Sequence, residues 1–292
     1  MYKQIDSNKR MSVLLITLFI IVIIALGYFY DILTGDQTYS GVIIAIIISL
    51  VMTLISYYQG DKIALWSTGA QAISKEQNSY VYNLVENLCI TSGLPVPKIY
   101  VINDPAINAF ATGRKPELAS IAVTTGAIEK LENEELEGVL AHEMAHVKNF
   151  DIRFMMLVAI LVGAITILSD IFIRGRFFGR KSSNNNGGGI LIIVGIILAI
   201  LSPLIAELIK LAISRRREYL ADADGSLLTR YPEGLARALE KIALKNQPMA
   251  KASSATAHLF ISNPFGSSRK FANLFSTHPP IEERIAKLRT MA

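Results

Sequence analysis

Two long apolar runs dominate the start of the chain. Met11 to Tyr30 and Tyr39 to Tyr58 contain no charged residue, and each is long enough to cross a bilayer as a helix. The first is not a cleavable signal, because the run is too long and no small-x-small site follows it. Two further apolar runs, Phe154 to Ser169 and Ile190 to Ala206, are slightly short for an untilted span; Asp170 follows one, and the other holds Pro203 and runs into Glu207 and Lys210. Between the second and third runs the pattern changes to that of a water-soluble layer. Val81, Leu84, Val85 and Leu88 recur on one helical face, which predicts a helix over Glu76 to Ser92 that Gly93 ends. Lys98 to Asn103 alternates as a strand, Ala119 to Thr124 is a second β-branched run, and Asn108 to Thr112 reads as a third short strand. Gly126 to Lys130 predicts a helical turn, and Asn133, with Glu134 and Glu135 in the first turn, opens a further helix.

Charge orients these segments. Lys3, Lys9 and Arg10 precede the first run, and an acidic link from Asp31 to Thr38 joins it to the second. The positive-inside rule therefore puts the N-terminus in the cytoplasm, the link outside and the chain after Tyr58 back in the cytoplasm. Arg174, Arg176, Arg180 and Lys181 lie between the third and fourth runs, on the side that rule disfavours if both runs span. Spanning remains the preferred reading over a buried or re-entrant hairpin, since an even number of passes keeps both chain ends on one side. The chain has 292 residues, 51% of them hydrophobic, and a net charge of +5. Its basic residues sit beside apolar runs, which fits phospholipid headgroups and not nucleic acid. The single cysteine, Cys89, excludes an internal disulfide and reads as a small core residue.

The helix opened at Asn133 carries His142-Glu143-Met144-Ala145-His146. Residues four apart share a helical face, so both imidazoles can reach one metal ion, while Glu143 can act as general base on a water held by it. A surface or buried histidine pair is the plain alternative. It is weakened because half of the four histidines in the chain fall in this one turn. Zinc needs a third protein ligand. His258, His278 and carboxylates all qualify, and Glu218 is the best placed, with Asp222 four residues on. Glu218 can ligate while Asp222 accepts the free N–H of a ligand histidine; a solvated face paired to Arg215 or Arg217 is the competing reading. Ala221 and Ala223 would let that helix approach another closely. Asn108, Ala109 and Phe110 lie on what reads as an edge strand able to bind an extended peptide, an ordinary core strand being the alternative. His258 reads as a packed or loop histidine, and Asp151 as a marker of the membrane boundary.

Taken with the N-terminal hairpin, Asn108-Ala-Phe-Ala-Thr-Gly113, the two later apolar runs, Glu218-Tyr-Leu-Ala-Asp222 and Ser276-Thr-His-Pro-Pro280, the motif resembles the HtpX-type membrane zinc metallopeptidases, relatives of the CAAX prenyl proteases. The resemblance covers nearly the whole chain. It implies one zinc ion per chain on His142, His146 and Glu218, Glu143 as base, Asp222 as orienter, and His278, with Arg284 nearby, facing the substrate and supporting the oxyanion. The implied fold is a mainly α integral membrane protein with four apolar helices and a cytoplasmic zincin-like α/β protease domain. The expected divisions are a transmembrane hairpin at 1–58, the first protease part at 59–151, a second apolar hairpin at 152–213 and the second protease part at 214–292. His146 is within about 12 Å of the third run at 1.5 Å per helical residue, which places the metal near the cytoplasmic face of the inner membrane. The expected activity is hydrolysis of misfolded or damaged membrane and membrane-proximal proteins under envelope stress. Expected partners are protein substrates and the lipid bilayer, without nucleic acid. Alternatives are a prenyl-peptide protease, a non-catalytic zinc scaffold and a transporter. A structural zinc ordinarily has four protein ligands, and the few polar residues in the first two runs disfavour transport.

Overall fold

The computed structural model describes residues 2–163, 215–245, 247–251, 253, 255–266 and 279–291. The run at 190–206, the end of the run at 154–169, the basic loop between them and His278 lie outside the described residues. Among the described residues the chain is mostly helical around one small sheet.

Both predicted spans are helices, and both outrun their apolar stretches: α1 is Tyr2–Thr34 and α2 is Ser40–Thr68. In their most apolar windows only 22% and 17% of the residues are buried. Ile43, Ile47, Leu50, Leu54 and their neighbours face outward in numbers that water would not favour. A helical hairpin with an apolar exterior fits a bilayer. Small residues let the two helices touch, since a Cβ on Gly27 would lie 2.6 Å from the Cβ of Ala45. Tyr39 at the start of α2 offers no side-chain cap, and Asp31 of α1 takes that role by accepting from the N–H groups of Gly41 (2.8 Å) and Val42 (3.0 Å).

α3 is Ser79–Ser92, begun by the Asn78 side chain, which accepts from Val81 N–H, and ended by Gly93 at φ +70°. It starts three residues later than the apolar periodicity suggests because Asn78 supplies the cap. β1 (Gln71–Ala72), β2 (Lys98–Ile102), β3 (Ala109–Thr112) and β4 (Ser120–Thr124) form one sheet in the order β1-β2-β4-β3. β2 and β4 run parallel, β3 is antiparallel to β4, and β3 is therefore an edge. α4 (Thr125–Lys130) leads to α5, Asn133–Lys148. The cap of α5 is Glu132 in a reciprocal box with Glu135, and not Asn133. Helical residues 151–163 follow. Phe154, Met156, Leu157, Val158, Leu161 and Val162 from that stretch pack with Leu15, Phe19 and Ile23 of α1.

After the undescribed segment come α6 (Arg215–Thr229), α7 (Pro232–Leu244) and α8 (Ile281–Arg289). Leu136, Val139 and Leu140 of α5 share a core with Val81 and Val85 of α3, Ile121 and Val123 of β4, and Leu235 and Leu239 of α7. A second core joins Ala64 and Leu65, at the far end of α2, to Phe110 of β3 and Phe260. The membrane hairpin is thus continuous in packing with the folded layer below it.

Candidate metal centre

α6 crosses α5 at the motif. Gly225 of α6 sits so close that a Cβ there would be 2.9 Å from the backbone nitrogen of His142. Ala221 is fully buried in the same crossing while Ala223 is only half-buried. This contact brings Glu218 over the histidine face. His142 Nε2 and His146 Nε2 lie 3.2 Å apart, and the Glu218 carboxylate oxygens lie 3.7 Å and 3.6 Å from them. All three donor atoms fall within 4.8 Å of one another, and all three residues are buried.

The outer nitrogens of both rings are engaged. His142 Nδ1 is 2.9 Å from Asp222 Oδ1, and His146 Nδ1 is 3.0 Å from Asp151 Oδ2. Protons on the Nδ1 atoms leave both Nε2 lone pairs aimed at the common point. A tetrahedral ion with bonds near 2.0–2.1 Å requires neighbouring donors about 3.3 Å apart, close to the spacing of this set. The electrostatics agree. Burial pulls His146 down, but its hydrogen bond to Asp151 and the charges of Glu218, Asp151 and Glu143 outweigh that and hold it up at about 9. A field that favours a proton on His146 also favours a divalent cation in its place. Burial holds His142 below its usual value despite Asp222. The donor set fits a zinc-like ion.

Glu143 is buried beside the triad. Burial, with some help from Glu218, pushes its carboxyl up to about 8, against opposition from His146 and from the Ala111 N–H, which donates to it. Ala111 belongs to β3, so the edge strand lies against this carboxylate. The outward groups of β3 are engaged elsewhere too. Ala109 C=O accepts from Ile261 N–H (2.9 Å), and Ala109 N–H donates to Asn108 Oδ1 (3.1 Å). The Asn108 side chain also bridges to the backbone of Ser262. Phe110 is buried edge-to-face against Phe260, their centroids 5.0 Å apart. Of the three residues read as a peptide-binding strand, Phe110 therefore fills a core, and Asn108 and Ala109 hold the chain's own 261–262 stretch.

Arg284 differs from its expected place facing a substrate. It is 1% exposed and grips Asp222 through two nitrogens, at 2.9 and 2.7 Å, with a further nitrogen 3.9 Å from Glu218. Asp222 pairs with this arginine from α8, and not with Arg215 or Arg217. Burial alone would raise the Asp222 carboxyl; the Arg284 charge and the His142 hydrogen bond instead hold it far below the usual carboxylate range. Arg284→Met should leave the buried Asp222 carboxylate without its charged partner and cost about 3–5 kcal/mol. Thermal unfolding in detergent checks this, and Arg284→Lys, which keeps the charge without the fork, should fall between the two. His258 is buried with Nε2 2.9 Å from Met155 C=O, and it is not one of the gathered donors.

Asp151 is the functional group that pattern reading missed. It lies five residues after His146, off the helical face of the motif. Phe150, at φ +59°, makes the turn that swings it back. A bulky residue in the left-handed region is strained, and its ring is held between Lys9 (4.9 Å) and Arg153 (5.3 Å). The one available signal was an aspartate just beyond the second histidine, at the start of an apolar run.

Two imidazoles and two glutamates buried between crossed helices, under the edge of a small sheet, are the layout of a metal-dependent peptidase. The sequence comparisons agree: residues 75–292 match the model of Peptidase family M48, and the chain belongs to that family. It is 47% identical over 296 residues to the Protease HtpX homolog of Caldanaerobacter subterraneus subsp. tengcongensis, an alignment covering 100% of this chain and 98% of that one. It is 51% identical over 254 residues to the Protease HtpX homolog of Syntrophobacter fumaroxidans, covering 86% and 90% of the two chains. Among solved structures, the crystal structure of S. mikatae Ste24p superimposes with a TM-score of 0.51 at 21% identity, covering 99% of this chain and 67% of that one. That last likeness is one of fold. With two helices able to span a bilayer, the chain is a membrane-bound metallopeptidase.

Proposed function

We propose that the chain is a zinc endopeptidase of the cytoplasmic membrane, with its site facing the cytoplasm, that cleaves unfolded or damaged proteins at or near the bilayer. The observation that carries this reading is the convergence of His142, His146 and Glu218 beside the buried carboxylate of Glu143. Zinc held by those three residues supplies Lewis acidity, lowering the pKa of water and polarising a peptide carbonyl. Glu143 takes the proton from the attacking water and delivers it to the leaving amine. Asp222 and Asp151 keep the two rings in the tautomer that points Nε2 inward, and Arg284 holds Asp222 in place. His278, in the Ser276-Thr-His-Pro-Pro280 stretch, supplies a donor to the oxyanion.

The extended substrate lies along the outer edge of β3, where an added strand would pass Glu143. A peptidase working beside the membrane on backbone groups needs little sequence preference, which suits the clearance of unfolded or damaged proteins. Residues 1–58 and 152–213 serve as membrane parts and residues 59–151 with 214–292 as the protease domain. The test is removal and return of metal. A chelator should abolish casein cleavage by the purified full chain, and one equivalent of zinc should restore it. Cleavage that persists in metal-free protein would overturn the proposal.

A further inference from the structure

α1 carries one polar side chain that a membrane anchor does not explain. Asn8 is 1% exposed, although it stands on the cytoplasmic extension of the helix, between exposed Ser7 and Lys9. Each face of its amide has a partner. Nδ2 is within hydrogen-bonding distance of Asp151 Oδ1 (2.5 Å) and donates to Asn149 C=O (2.9 Å), while Oδ1 accepts from Arg217 Nη1 (3.4 Å). Asn149 and Asp151 follow the motif helix, and Arg217 immediately precedes Glu218. One side chain from α1 therefore touches both arms of the metal centre.

We propose that Asn8 is a positioning residue for the metal centre, so that the N-terminal membrane helix forms part of the site's support. Asp151 has two oxygens with two tasks, one on His146 Nδ1 and the other on Asn8. With the second oxygen tied, the carboxylate cannot rotate away from the ring. With Arg217 held against Asn8 and over the Phe154 ring at 5.0 Å, the start of α6 is fixed relative to α5. Direct partners of a metal ligand, as Asp151 is here, typically change metal affinity about 10- to 100-fold when removed, and Asn8, one bond further out, should act at the lower end of that range.

This rests on the metal-ligand reading of His142, His146 and Glu218, and the same experiment separates the two. Zinc affinity of the full chain in detergent is measured by competition with a chromophoric chelator, for the parent, Asn8→Ala, Asn8→Ser and Ser7→Ala. Unfolding temperatures are measured with and without zinc. The parent should bind one zinc; if it binds none, the ligand reading and this inference fall together. Asn8→Ala should weaken binding about 10-fold and narrow the gap between the metal-loaded and metal-free unfolding temperatures. Asn8→Ser, which keeps a donor and is the gentler change, should lose less, and Ser7→Ala nothing. In an Asp151→Ala background Asn8→Ala should cost less than it does in the parent, since only its hold on Arg217 is then left to lose. If both unfolding temperatures fall equally while zinc affinity holds, or if the two losses simply multiply, Asn8 is a structural cap alone and the inference is overturned.

Discussion

Glu143→Gln should leave the metal bound and remove most of the hydrolysis. Glutamine has nearly the shape of glutamate, and its carbonyl oxygen can still accept from the Ala111 N–H that the carboxylate now engages. It has no charge with which to take a proton. General acid–base catalysis contributes about a hundred- to ten-thousand-fold, and a loss in that range is expected in the turnover of an unstructured protein. Zinc stoichiometry, measured on the same preparation, should be unchanged. A variant that cleaves at the parental rate would remove Glu143 from the chemistry, and one that loses its zinc would make it a ligand.

The second large effect is expected at a position with no side chain at all. Gly225→Ala places a methyl 2.9 Å from the His142 nitrogen and 3.1 Å from the carbon of Ala141, both backbone atoms that cannot step aside. Alanine is the better helix former by about 0.5–1 kcal/mol, so at an indifferent helical site the change would stabilise. Here the helices must part, and overpacking of this kind costs about 1–3 kcal/mol. The separation is felt seven residues away, where Glu218 must meet the histidines. The variant should unfold at a lower temperature, and it should surrender zinc to a chelator that the parent resists. Leu227→Ala, at a 73% exposed position of the same helix, should do neither. Unchanged metal affinity in Gly225→Ala would mean that the crossing tolerates spreading.

What could be read from the sequence follows the range of the interactions. Periodicity and punctuation are local, so the two long helices, three of the four strands and the motif helix are visible in the residues themselves. The spacing of His142 and His146 follows from one helical turn. The partner glutamate was a choice among several candidates, because nothing local says which distant helix crosses α5. The close contact at that crossing is only partly visible: Ala221 is buried in it as its size suggests, Ala223 is half-buried, and Gly225, which no pattern marks, lies directly against the His142 backbone. Asp151 and Asn8 are 143 residues apart, and neither belongs to a pattern. Arg284, expected to face the substrate, is likewise placed only by the fold, which buries it against Asp222. Helix ends moved for a related reason. Glu132 caps α5 through Glu135, a reciprocal pair that scores poorly as a start signal beside an adjacent asparagine.

If substrate binds along the outer margin of β3 as proposed, that margin has a consequence for which proteins are admitted. A guest strand can reach Ala109 only by taking the place that Ile261 holds, and it can reach Ala111 only by competing with Glu143 for the same N–H. Each such bond is worth about 1 kcal/mol net. A loose, extended polypeptide can replace them along its length. A natively folded one has its backbone groups already satisfied and brings no substitute. Discrimination between damaged and intact proteins would then arise from competition for hydrogen bonds at this margin.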